Sequence, residues 1–147
     1  MGAITLANLF HTVTKFLVGT RNMGNAAIAI GTTKSKIKTA AAIDYSIGGV
    51  AYTKAATDDL FVFTDVTVQP VGTTRYYLLG LDKDGASVVT TGTATELPDV
   101  PAGSCPVGYV KIVTDATHTF TQATTLLDAA GVTATYVNIA VPPGALA

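Results

Sequence analysis

The stretch TRYYLLGLDKDGASVVTTGT, residues 74–93, constrains this chain more than any other. Two arms rich in β-branched and aromatic residues, Arg75 to Leu81 and Ala86 to Thr91, meet at Asp82-Lys83-Asp84-Gly85. Asp and Gly at these positions supply the local hydrogen bonds and the positive φ that a tight reversal needs, so the segment reads as a β-hairpin. A lone hairpin is marginal in water, so further strands must complete a sheet. They are present. IDYSIGGVAYT reads as a second hairpin turning at Gly48-Gly49, LFVFTDVTV as one strand or two short ones, and PVGYVKIVT and VTATYVNIAV as two alternating runs. TTLLDAAG between the last two is a short turn or a helical stub. The 147 residues suit one domain with a terminal appendage, and 25 of them are threonine while tryptophan is absent. Many short strands at this spacing predict a mainly β body, an antiparallel β-sandwich or small barrel.

The leading segment reads differently. Leu6, Leu9, Phe10, Val13, Phe16 and Leu17 follow helical spacing and leave Asn8, His11, Thr12 and Lys15 on the opposite face. A helix ending near Gly19 would either cover the core of its own domain or offer an apolar stripe to a symmetric copy or a host surface. GTRNMGNAAIAIGTT, rich in Gly and Asn, then reads as a linker or extended arm. KSKIKTAAAIDY places Lys34, Lys36 and Lys38 along one side of a strand, the usual defence of an open sheet edge. The chain therefore divides on sequence into a helix and basic arm, 1–41, and a β-rich body, 42–147.

Charge sharpens that division. Residues 1–43 carry Lys15, Arg21, Lys34, Lys36 and Lys38 and no acid, whereas residues 44–147 carry four bases and ten acids. A basic leader on an acidic body suits docking onto an acidic surface, its own or another's. Only 13 % of residues are charged, against about 25 % in an ordinary domain. A surface so thinly charged is poorly protected against association, which predicts burial by copies of itself or by a larger assembly. On this reading the contact residues are Leu6, Leu9, Phe10, Val13, Phe16, Leu17, Arg21, Lys34, Lys36 and Lys38. No run of about 20 apolar residues predicts a membrane span. The opening MGAITLANLF lacks the positive segment of a secretory signal. One cysteine allows no internal disulfide.

Candidate chemistry is sparse. A nucleophilic cysteine needs a base to form its thiolate. Cys105 stands between Pro101 and Pro106, with only His11 and His118 in the chain. Pro106 biases Cys105 toward extended backbone, which reads as strand entry rather than a nucleophile. Asp82-Lys83-Asp84-Gly85 resembles the start of a calcium loop, but Ala, Ser and Val follow where ligands are needed. Asp58-Asp59 and Glu96 form no recognisable catalytic carboxylate pair. Tyr76, Tyr77, Tyr109 and Tyr136 fall within strands, where packing is their default role, with an exposed aromatic row for sugar as the alternative. No catalytic, cofactor or metal-binding residue is predicted. The period-two lysines lack the arginines and aromatics of a nucleic-acid surface.

Taken in order, IDYSIGGVAYTKAATDDL, YYLLGLDKDGASVVTTGTA, LPDVPAGSCPVGYVKIVT and TTLLDAAGVTATYVNI resemble a recurrent module of tailed-bacteriophage structural proteins. The resemblance spans about residues 42–139 and does not extend to the first 41. It implies a capsid decoration (cement) or head-fibre protein: non-enzymatic, without a cofactor, homo-oligomeric and often trimeric. It further implies assembly in the host cytoplasm and a place on the virion surface against the major capsid protein. A tail-fibre, baseplate or host-glycan-binding role for the same module is the alternative.

Overall fold

The computed structural model describes residues 19–139. The apolar stripe Leu6, Leu9, Phe10, Val13, Phe16 and Leu17, read above as a helix, lies outside them. The described residues form twelve strands and no helix. In chain order these are β1 (Arg21–Asn22), β2 (Ile28–Ile30), β3 (Lys36–Thr39), β4 (Ile43–Ile47), β5 (Val50–Lys54) and β6 (Thr57–Val62), followed by β7 (Val68–Gln69), β8 (Thr74–Asp82), β9 (Ser87–Thr91), β10 (Ser104–Thr114), β11 (Phe120–Thr121) and β12 (Val132–Asn138). The fold is mainly β, and every strand pairing is antiparallel.

The largest sheet runs β12-β10-β8-β9. Its spine is the pairing of β10 with β8, from Ser104 opposite Asp82 to Val113 opposite Thr74. A bulge at Val107 interrupts that register. Before it Cys105 and Val107 are buried; after it Val110 and Ile112 are, so the inward positions change parity at the extra residue. Pro106, which has no N–H to give the ladder, sits beside the bulge, where a strand tolerates it. On β8 the inward residues are Tyr77, Leu79 and Leu81.

Two three-stranded sheets, β1-β4-β5 and β2-β3-β6, and the short pair β11-β7 complete the body. All contribute to one core: Ile43 and Tyr45 from β4, Ile37 from β3, Phe61 from β6 and Phe120 from β11 join the β8 and β10 residues. Phe63 meets Tyr77 and Phe120 edge-on, with centroids 5.2 and 5.9 Å away. β6 approaches β9, and β2 approaches β12, at the two flanks of the large sheet. Gly108 allows the second approach, because a Cβ there would run into the Ile28 side chain and the Val137 carbonyl.

Two readings from sequence change here. The stretch 19–33 is no linker: β1 pairs with β4, β2 pairs with β3, and Ala26 and Ile28 are buried in the core. Packing therefore runs straight through position 41, because two- and three-residue strands need no long alternating run to find partners. Nor is β3 an edge. It is the central strand of its sheet, with Lys36 and Lys38 on the face opposite buried Ile37 and Thr39. The segment 124–131 forms turns rather than a helical stub.

Candidate attachment site

β10 has two differently closed ends. At the Ser104 end, β1 and β4 pack against it. Asn22 of β1 is fully buried there, and its amide N–H groups reach the carbonyls of Val107, at 3.5 Å, and Ile139, while its side-chain oxygen accepts from Gly24 N at 3.0 Å. The extra residue of the bulge thus presents a carbonyl that the Asn22 amide and Ile139 N share. Three residues before Asn22, the Gly19 carbonyl accepts from Gly49 N at 3.0 Å and from Ser46 Oγ at 2.8 Å. Gly48 N donates to Thr20 Oγ1 at 2.9 Å. The described chain therefore begins on the tip of the β4–β5 hairpin and ends at Ile139, with Asn22 bonded between. Gly19 and Ile139, the first and last described residues, thus both lie at this end of the body.

At the other end of β10, Gln69 plays the matching part. It is fully buried and donates from Nε2 to the carbonyls of Thr73 and Ile112, each at 3.0 Å, while its Oε1 accepts from Tyr77 at 3.2 Å. Neither Gly19 nor Ile139 lies at this end. Around it Val66, Val68 and Val71 are exposed on the loop and strand before β8.

The cations named from sequence fall on separate elements. Arg21 lies in β1, in a different sheet from Lys36 and Lys38. Lys34 sits in the β2–β3 turn and pairs with Asp128 at 3.4 Å, with both side chains about half exposed. Asp58 is held below the usual carboxylate range by hydrogen bonds from Thr32, with Lys38 adding a smaller attraction. Asp58 and Asp59 accept from Thr32 N and Thr33 N at 3.1 and 3.0 Å, so this carboxylate pair clasps the β2–β3 turn.

The remaining chemical candidates are also structural where they are described. Cys105 is completely buried, and burial pushes its thiol up to about 11. His118 follows the far end of β10. Cys105 and Thr114 are nine residues apart on one extended strand, about 30 Å, so the thiol and this imidazole form no dyad. His11 lies outside the described residues. Asp82 Oδ1 accepts from Asp84 N and Ala86 N at 2.8 and 2.9 Å, which closes the turn and occupies that oxygen. Asp115 likewise accepts from Thr117 N and His118 N at 2.8 Å each, and these bonds, that of Thr117 foremost, hold its carboxyl well below the usual range. Among the described residues no group of three His, Cys, Asp or Glu side chains could hold a metal ion. Tyr77 is core, whereas Tyr76 and Tyr109 meet at 5.9 Å on the face of the large sheet turned away from it.

Sequence reasoning missed Asn22. Nothing local marks it, since its partners lie 85 and 117 residues away. No protein family, no curated protein and no solved structure matches this chain.

Proposed function

We propose that this chain is a non-enzymatic structural protein of a tailed-phage virion that decorates and stabilises the capsid. The observation that carries this reading is that Gly19 and Ile139, the two ends of the described chain, lie at one end of a packed β body, on either side of Asn22; the stretches 1–18 and 140–147 adjoin them in sequence. A protein that binds a shell by its ends needs them together, so that one pole faces the shell and the other faces solvent. The apolar stripe Leu6 to Leu17 belongs to one of those stretches, and 140–147 carries no charge at all. On this reading the body is a small barrel, with the β9–β6 and β2–β12 approaches as its seams, and the major capsid protein is the partner. Apolar area buried at each subunit boundary, at about 25 cal/mol per Å², is summed over many symmetric copies and resists the pressure of packed DNA.

The test is to mix the full chain with expanded empty capsids of the phage that encodes it and to sediment the mixture. Saturable binding at hundreds of copies per capsid, with a raised melting temperature of the shell, is the expected result. No binding would end this reading. The Tyr76–Tyr109 pair, with Lys111 directly opposite Tyr76, favours a second one, a tail part that touches host glycan. A copy number of a few to tens per virion would favour that.

A further inference from the structure

Among the described residues, β5 has an edge with which no strand pairs. β12 and β9 end the large sheet, but β2 and β6 draw up beside them. β5 ends its own sheet, and among the described residues β4 is the only strand in extended contact with it. Val50, Ala51 and Thr53 are exposed, so both faces of β5 meet solvent. No charge stands on the strand before Lys54, whose side chain lies beside Gly85 in the β8–β9 turn. An open, uncharged edge is a template for another strand.

The direction of the free backbone groups follows from the other side of the sheet. Met23 N donates to Asp44 O at 2.9 Å, so Asp44 and Ser46 turn their backbone toward β1. Ile43, Tyr45 and Ile47 therefore face β5, paired with Lys54, Tyr52 and Val50. The N–H and C=O groups of Ala51 and Thr53 are left pointing outward.

We propose that β5 pairs antiparallel with β5 of a second copy about a twofold axis at Tyr52. In that register Ala51 of each copy lies opposite Thr53 of the other, and each such pair exchanges both N–H···O bonds. Every outward donor meets an outward acceptor. Tyr52 faces its own copy across the axis, which continues the Tyr45–Tyr52 stack, 5.5 Å between centroids, into a row of four rings. Lys54 lies opposite Val50, so no like charges meet. The occupant is a second copy because the edge is complementary to itself in this one register. This pairing stands independently of the capsid reading.

Charge placed at the register positions tests it. Ala51→Lys/Thr53→Lys puts lysine opposite lysine twice, whereas Ala51→Glu/Thr53→Lys puts glutamate opposite lysine twice at the same exposed sites. In both, Lys at 53 stands beside Asp44 of its own chain. Light-scattering masses of the full-length proteins, with circular dichroism as a check on folding, give the answer. The wild type and the Glu/Lys variant are expected at twice the mass of the Lys/Lys variant. A wild-type mass that is equal to that of Lys/Lys, or three times it, overturns the pairing. A Glu/Lys variant with the Lys/Lys mass overturns the register.

Discussion

The β4–β5 and β8–β9 hairpins begin from the same local chemistry and meet different fates. Each has alternating arms and a turn closed by residues with positive φ, Gly48-Gly49 in one and Gly85 in the other. β8 lies between β10 and β9 and buries Tyr77, Leu79 and Leu81. Among the described residues β5 pairs with β4 alone, and Val50 at its start is 48 % exposed. The difference lies in what pairs with the second edge, which neither hairpin's own residues encode. β9 ends its sheet as β5 does, but β6 draws up beside β9 and no described strand draws up beside β5; on the pairing proposed above, that open edge is an interface.

Substitutions that treat the two hairpins alike should therefore give unlike results. Leu79→Ala leaves a cavity in the common core and should cost about 2–5 kcal/mol in chemical denaturation. Val50→Ala should cost under about 0.5 kcal/mol at a concentration where the chain is monomeric. Equal costs would mean that β5 is packed as β8 is. Asn22→Ala leaves the Ile139 carbonyl without its amide partner and should cost about 1–3 kcal/mol. It should also speed hydrogen exchange around β1 and Ile139 while leaving β8 protected. The two hairpins meet through Tyr45, whose hydroxyl donates to the Asp82 carbonyl at 2.8 Å. Tyr45→Phe removes that bond alone, and about 0.5–1.5 kcal/mol should be lost.

The smallest effect belongs to Asp115, beyond both hairpins. Its folded pKa lies below the 3.8 of an unfolded aspartate. Its contribution is thus present above about pH 4 and is lost as pH falls through the folded value. Asp115→Asn should be slightly less stable than wild type at neutral pH, and the gap in melting temperature should close as the solution is acidified below pH 4. A constant gap would mean that the carboxylate is not ionised preferentially in the fold.

Legibility in the sequence followed the range of the interactions. Both hairpins, the β10 and β12 runs and the Asp82–Gly85 turn were readable, because residues within a few positions of one another specify them. Even the β10 bulge leaves a trace: the apolar positions step from Cys105 and Val107 to Val110 and Ile112, a change of parity that an unbroken strand would not show. The order β12-β10-β8-β9 had no such trace, since its neighbours are set by one shared core. β1 and β2 escape the sequence reading because Gly and Asn surround strands of two and three residues, and what holds them, buried Asn22, Ala26 and Ile28, the last against Gly108, depends on distant partners. β3 reads as an edge from sequence because alternating lysines suit both an open edge and the outer face of a central strand, and local residues do not distinguish the two. Asn22 and the open β5 edge depend wholly on distant partners.

On the proposed function two duties are separate: a body complete from Gly19, and attachment that requires the stretch before it. A chain beginning at Gly19 tests this most directly against the full chain, by melting temperature and by sedimentation with empty capsids. The shortened chain should keep all twelve strands and a melting temperature close to the full chain's, yet fail to sediment with capsids that the full chain saturates. Equal binding by the two chains, or a shortened chain that no longer folds, would contradict it.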